Sequence, residues 1–168
     1  MRHIILMGFM GSGKSSMGVK LSYKLQRAFL DTDKLIEKRE GMSISDIFAT
    51  YGEVYFREKE TEVLESLKQE KAERIISLGG GTPLREENRN VLKELGTVVY
   101  LKVSADTVYE RLQGDTTRPL LQGDNPKQKI EELLSKRSDI YESVADIIIC
   151  GDNKTHESVI EEIMEAIQ

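Results

Sequence analysis

One short segment constrains this chain more than any other. Residues 8–15 read GFMGSGKS and fit the pattern GxxxxGK[ST], directly after an apolar run and directly before a helical pattern. In this pattern the glycines let backbone N–H groups turn inward around phosphate oxygens, Lys14 neutralises the β and γ phosphates, and the Ser15 hydroxyl binds Mg²⁺. The segment therefore predicts a site for a nucleoside triphosphate with Mg²⁺. The residues predicted to bind the nucleotide here are Gly11, Ser12, Gly13, Lys14, Ser15 and Ser16.

A dinucleotide-binding turn is the rival interpretation of the same glycines. Gly11 and Gly13 can begin such a fingerprint, and an acidic residue follows about 20 residues on, at Asp31 or Asp33. The third glycine position, however, is occupied by Ser16. A Lys-Ser pair at the start of a helix suits phosphates with Mg²⁺ and disfavours an oxidoreductase.

Length and charge exclude several classes of protein. The chain has 168 residues, which is one domain's worth, and its 24 Lys and Arg against 29 Asp and Glu leave a net charge of −5. An acidic balance argues against a nucleic-acid partner, and the longest apolar run, residues 4–7, is far too short to span a bilayer. We expect no export signal, and the single cysteine, Cys150, suits a reducing, cytoplasmic compartment. His3 and His156 are expected on the surface.

Apolar runs alternate with helical patterns along the chain. The runs are short and almost continuously apolar, as strands buried on both faces are, so they predict a parallel sheet in an α/β layered fold. Five strands are predicted at 4–7, 28–30, 75–78, 98–101 and 147–149. Helices are predicted at 14–25, 54–68, 86–95, 105–112, 127–144 and 156–167.

Two segments do not fit this alternation. Residues 33–74 are too long for one crossover and predict a helical excursion beside the sheet, with 33–60 as the acceptor-binding part. Residues 113–124 have glycines near both ends and are predicted to form a lid over the ligand. Within that lid, Arg118 precedes Pro119 and two leucines, which predicts that the loop docks on the protein.

Two carboxylates follow the second predicted strand. Asp31 and Asp33 are two residues apart, so on a strand they point to the same side and can serve a metal ion and an acceptor hydroxyl. The alternative is that Asp33 caps the helix predicted at 34–39.

Two arginines lie on apolar helix stripes. Arg57 shares a face with Glu60 and Leu64, and Arg137 shares one with Leu134 and Tyr141. For Arg57 the alternative is an Arg–Glu ion pair on the helix surface. An arginine on an apolar face, as Arg137 is, needs an anionic partner, which is either an internal acid or a bound carboxylate.

Three consecutive glycines follow the third predicted strand. Gly79, Gly80 and Gly81 remove every side chain from the place where a ligand is expected. A flexible turn before Pro83 is the alternative, although it requires one glycine more naturally than three.

Taken in order, these motifs resemble the shikimate kinase family over essentially the whole chain. The set is Asp31-x-Asp33, Phe56-Arg57-x-x-Glu60, Gly79-Gly80-Gly81, Arg118-Pro119-Leu120 and Arg137-x-x-x-Tyr141. The resemblance implies one kinase domain, 1–168, with a nucleoside-monophosphate-kinase-like P-loop fold and a five-stranded parallel sheet in the order 2-3-1-4-5. It also implies transfer of the γ-phosphoryl of ATP to the 3-hydroxyl of shikimate, on the route to chorismate and aromatic amino acids, by a monomer.

The resemblance also implies roles for single residues. Ser15 would bind Mg²⁺ directly and Asp31 would hold it through water. Asp33 would contact the shikimate hydroxyls as the orienting or general base, and Arg118 would close onto the ATP phosphates. The implied catalytic residues are Lys14, Asp33 and Arg118. The implied shikimate-binding residues are Asp33, Arg57, Gly79, Gly80, Gly81 and Arg137, of which the two arginines would clamp the carboxylate.

Residues 152–155 depart from the family pattern. They read DNKT, where the family often has an arginine and a proline near adenine. Two other classes of function remain open from the residues: another P-loop small-molecule kinase, acting on gluconate or a nucleotide, and a module that binds ATP without turnover.

Overall fold

The computed structural model describes residues 2–113 and 123–168. The strands are β1 (His3–Met7), β2 (Phe29–Asp31), β3 (Ile75–Ser77), β4 (Gly96–Lys102) and β5 (Ile147–Cys150). The helices are α1 (Lys14–Leu25), α2 (Thr32–Glu40), α3 (Ile44–Leu67), α4 (Glu86–Leu95), α5 (Ala105–Leu112), α6 (Pro126–Val144) and α7 (His156–Ala166), with a 3₁₀ turn η1 at Thr82–Leu84.

The five strands form one parallel sheet in the order β2-β3-β1-β4-β5, which confirms the predicted order. In this strand order β2 and β4 lie on opposite sides of β1. The connection after β1 runs towards β2, whereas the connection after β3 runs in the opposite direction, towards β4. Ligands of open α/β sheets bind beyond the carboxyl ends of strands at such a reversal. The site is therefore expected above β1 and β3, where residues 8–13 and the three glycines lie.

Helices cover both faces of the sheet. Ile5 and Met7 of β1 point into a core shared with α2 to α6, whereas Ile4 and Leu6 point into a core shared with α1 and α7. Burial on both faces explains why the strands are almost continuously apolar.

The predicted helix boundaries agree with the structure at α1, α4 and α5. The helix predicted at 54–68 matches the part of α3 that follows Gly52, and a further helical segment precedes it from Ile44, capped by Ser43, which accepts a hydrogen bond from the Asp46 N–H. Gly52 interrupts α3 with φ of 85°, a conformation that favours glycine. The 33–74 excursion is thus α2 and α3 side by side.

His3 is buried in the structure, so the expectation of a surface position is wrong. It lies on β1, and its Nδ1 accepts a hydrogen bond from the Arg74 N–H at 3.0 Å. His156 is exposed, as expected. No helix of the described residues is long and apolar enough to cross a membrane. Most of the predicted lid, including Arg118, lies outside the described residues.

Candidate active site

Residues 8–13 form a loop between β1 and α1. Gly11 and Gly13 have φ of 75° and 96°, which L side chains rarely adopt. Gly13 is the N-cap of α1 and has no side chain to accept from the N–H groups of the first turn. These N–H groups therefore form the positive end of a helix dipole that suits a phosphate.

Lys14 folds back over this loop. Its Nζ donates to the carbonyl oxygens of Gly8 at 2.7 Å and Phe9 at 3.0 Å. The Ser12 hydroxyl oxygen is buried and has no hydrogen-bond partner among the described residues. The predicted phosphate-binding residues thus lie together in this loop and the first turn of α1.

Arg111 was not among the sequence predictions, yet it reaches the same loop. Its Nη1 donates to the Gly11 carbonyl oxygen at 3.0 Å. The two residues are 100 positions apart in sequence, so no local pattern marks the contact.

Asp31 and Asp33 have different roles in the fold. Strand β2 ends at Asp31, whose Oδ1 caps α2 by accepting from the N–H groups of Asp33 at 2.9 Å and Lys34 at 3.2 Å. Asp33 is the second residue of α2, so the expectation that both lie on a strand is wrong. The helix cap is present, but Asp31 provides it, so the expectation that Asp33 is the cap is wrong.

Asp33 is the perturbed carboxylate of the site. Its Oδ1 is buried without a hydrogen-bond partner among the described residues. Burial, and then the negative charges of Asp31 and Glu60, raise the pKa of Asp33 to about 6, although the Lys14 ammonium opposes this. Such a group is ionised at neutral pH but remains basic enough to take a proton.

Thr32, which no sequence motif marks, places Asp33 beside the glycines. Its buried hydroxyl donates to the Ser77 carbonyl oxygen and accepts from the Gly79 N–H, each at 3.3 Å. A Cβ at Gly79 would lie 2.6 Å from Oδ1 of Asp33. A side chain at Gly79 would displace Asp33, so this glycine is required for close approach and is more than part of a flexible turn, whereas a Cβ at Gly80 would make only ordinary contacts.

Arg57 has an internal acid as its partner. Its Nη1 is 2.7 Å from Oε1 of Glu60, which is buried, and its Nη2 is 3.4 Å from Oε1 of the exposed Glu53. A Cβ at Gly81 would collide with the Arg57 guanidinium. Arg57 therefore lies against the glycine run, and its ion pair with Glu60 fixes its position.

Arg137 approaches the same run from α6. Its guanidinium lies over the Phe9 ring, 5.7 Å from the centroid, and its Nη1 is 3.5 Å from the place of a Cβ at Gly80. Its Nε is buried without a hydrogen-bond partner, and no carboxylate of residues 2–113 or 123–168 forms an ion pair with it. The neighbouring Tyr141 hydroxyl donates to the Gly80 carbonyl oxygen at 2.6 Å. Arg137 is thus a cation that lacks an internal acid within the described part of the chain.

A cavity of about 470 Å³ joins the phosphate loop to the carboxylates. Its lining includes Gly11, Gly13, Lys14, Ser15, Ser16, Asp31, Asp33, Gly79 and Gly80. Ser12, Gly81 and the two arginines lie outside the lining, behind or beside these residues. No group of three His, Cys, Asp or Glu in the described part of the chain could hold a metal ion by itself. A metal here would depend on the Ser15 hydroxyl, phosphate oxygens and water, which is how Mg²⁺ is usually held.

This arrangement defines the class of protein. A phosphate loop after β1 shares its cavity with a half-buried carboxylate of raised pKa, and two arginines lie against the neighbouring glycine run. This is the layout of a P-loop phosphotransferase acting on a small acceptor.

Comparisons with known proteins identify the family. The shikimate kinase family model matches residues 10–168. The shikimate kinase of Sulfurihydrogenibium sp. strain YO3AOP1 is 45% identical over 168 residues, covering 100% of this chain and 99% of the relative. A structure of shikimate kinase from Acinetobacter baumannii in complex with shikimate has a TM-score of 0.92 and 38% identity over 99% of this chain and 93% of that one. The structure from Aquifex aeolicus has a TM-score of 0.85 and 41% identity over 99% and 96%. The chain belongs to the shikimate kinase family.

Proposed function

We propose that this protein transfers the γ-phosphoryl group of ATP to the 3-hydroxyl of shikimate, giving shikimate 3-phosphate and ADP, on the route to aromatic amino acids. The observation that carries the proposal is the cavity that joins the phosphate loop to Asp33, with Arg137 beside it and without an ion-pair partner among the described residues. Family membership supports shikimate over gluconate or a nucleotide as the acceptor.

The acceptor side suits a small anionic triol. Arg57 and Arg137 approach Gly81 and Gly80 from α3 and α6, so a carboxylate between them would receive charge-assisted hydrogen bonds from both. The glycine floor leaves room for a ring against the backbone. Asp33, across Gly79 from this pair, is placed to accept a hydrogen bond from a ring hydroxyl.

In the proposed reaction the acceptor hydroxyl oxygen attacks the γ phosphorus while the bond from that phosphorus to the ADP oxygen breaks. Asp33 accepts the hydroxyl proton, and its raised pKa suits that role. Lys14, the N–H groups of the loop and Arg118 offset the negative charge on the transferring group, so positioning and charge neutralisation carry most of the rate.

The residues at the loop fit Mg²⁺. Ser15 would hold it directly and Asp31, whose Oδ1 is engaged in the helix cap, would hold it through water. Bound there with ATP, Mg²⁺ would neutralise phosphate charge.

The remaining parts of the proposal concern binding partners, subcellular location and oligomeric state. The acidic net charge supports small-molecule substrates without nucleic acid, and the single cysteine supports the cytoplasm. We propose a monomer, since every residue that the proposed reaction uses lies in one chain.

A coupled assay for ADP tests the function. With ATP and Mg²⁺ we expect shikimate-dependent ADP formation, and none above background with gluconate or nucleoside monophosphates. ADP formation with gluconate alone would show that the acceptor is assigned wrongly, and ATP binding without turnover on any acceptor would leave only a binding module.

A further inference from the structure

A polar network behind the glycine run connects it to α3. Thr82, the first residue of η1, is 1% exposed, and its hydroxyl donates to Oε2 of Glu60 at 2.5 Å. The other oxygen of that carboxylate, Oε1, is the one that accepts from Arg57. Glu60 is therefore held between a hydroxyl on one side and the guanidinium on the other.

The Thr82 hydroxyl is important because the Glu60 side chain is only 1% exposed. A buried carboxylate oxygen without a donor costs free energy, and the side chain or its neighbours move to relieve that cost. Oε2 of Glu60 also faces Asp33, since both carboxylates converge on the Cβ position of Gly79, at 3.2 Å and 2.6 Å. Without the Thr82 hydroxyl, the carboxylates of Glu60 and Asp33 would face each other and the position of Glu60 would be less fixed.

A second route fixes Thr82 to the same turn of α3. Asn88 of α4 is 0% exposed, and its Nδ2 donates to the Thr82 carbonyl oxygen at 2.9 Å. Its Oδ1 accepts from the hydroxyl of Thr61, the residue after Glu60, at 2.7 Å. Thr82 is thus fixed by its backbone and directs its hydroxyl at Glu60.

We propose that Thr82 is a positioning residue for the acceptor: its hydroxyl fixes Glu60, and Glu60 fixes the guanidinium of Arg57 against Gly81. This proposal rests on the proposed function, in which Arg57 binds the acceptor carboxylate. Because the network joins α3, α4 and the glycine run and its hydrogen bonds involve no atom of the phosphate loop, its loss affects acceptor binding and leaves ATP binding unchanged.

Two substitutions separate the hydroxyl from the packing. Thr82→Val keeps the shape of the buried side chain and removes the donor, whereas Thr82→Ser keeps the donor and removes a methyl group. Thr97→Val is the matched control, because Thr97 lies on β4 at the opposite end of the sheet. Purified variants are compared by thermal unfolding, by KM for shikimate and for ATP, and by calorimetry with shikimate.

We expect Thr82→Val to raise the KM for shikimate about tenfold, with the KM for ATP unchanged, because a hydrogen bond to a charged group is lost. Thr82→Ser should restore the wild-type KM for shikimate, and Thr97→Val should match the wild type. In a Glu60→Ala background, Thr82→Val should not weaken shikimate binding further, because the carboxylate through which the Thr82 hydroxyl acts is already absent.

Three results would overturn the proposal: an unchanged KM for shikimate in Thr82→Val, an equal rise in both KM values, or a full additional loss in the Glu60→Ala background. Failure of the wild-type protein to form ADP with shikimate would instead refute the proposed function. The wild-type assay therefore distinguishes the two.

Discussion

Replacing Asp33 by asparagine exposes a conflict between stability and activity at this site. The folded protein raises the pKa of Asp33 from 3.8 to about 6, because burial and the charges of Asp31 and Glu60 disfavour the carboxylate. The difference is about 2 pKa units, and at 1.36 kcal/mol per unit the ionised form costs the fold about 3 kcal/mol.

The sign of this contribution determines its dependence on pH. A carboxyl group with a raised pKa contributes its stability below the unfolded value of 3.8, and that stability is lost as pH rises through about 6. The asparagine side chain is neutral at every pH. We therefore expect Asp33→Asn to stabilise the protein without ligands by up to about 3 kcal/mol at pH 8, but by only about 1 kcal/mol at pH 4.5.

Urea denaturation of the wild type and Asp33→Asn at both pH values measures this difference. Asp139→Asn is the matched control, since Asp139 is exposed on α6 and its variant should differ little from the wild type at either pH. The same Asp33→Asn protein should lose about 10²- to 10⁴-fold in kcat, because the amide cannot take the hydroxyl proton. A variant no more stable than the wild type at pH 8, or a gain that does not shrink at pH 4.5, would refute the reasoning.

Three other substitutions test the remaining parts of the site. Lys14→Ala should reduce kcat by orders of magnitude with the fold intact, because it removes the charge that meets the β and γ phosphates. Lys24→Ala, at an exposed position on the same helix, is the control. Unchanged activity in Lys14→Ala would contradict the kinase assignment. Arg137→Ala should weaken shikimate binding in calorimetry by about 2 kcal/mol or more with ATP affinity little changed, whereas loss of ATP binding would show that the acceptor pocket is placed wrongly. Arg118→Ala should lower kcat more than it weakens ATP binding at equilibrium, and a wild-type kcat would remove the role proposed for this arginine.

Much of this protein follows from local sequence. The helices α1, α4 and α5 begin and end where the periodicity predicts, because each is an amphipathic helix with a buried apolar face, on the sheet for α1 and α4 and on α6 for α5. The phosphate loop is equally local, since glycines with positive φ and a Lys-Ser pair at a helix start specify it within eight residues. Continuous apolar runs likewise predict a parallel sheet covered on both faces.

The tertiary structure decides which of the two aspartates caps α2 and which one faces the cavity. From the sequence, Asp33 is the candidate cap, but β2 ends at Asp31, so Asp31 caps α2 and Asp33 lies half-buried beside Gly79. Either aspartate can cap a helix; which one does so depends on where pairing with β3 ends the strand.

Contacts between distant parts of the chain could not be predicted from the sequence either. Arg111 reaches Gly11 across 100 residues, and Thr82 reaches Glu60 across 22, without any periodic signal. The Arg57–Glu60 pair is local, three residues apart on one helix face, but only the packing of α3 against η1 buries Glu60 and gives it Thr82 as a second partner. The physical reason is that helix periodicity and glycine conformation act within a few residues, whereas hydrogen bonds between buried polar side chains depend on which elements the sheet order makes neighbours.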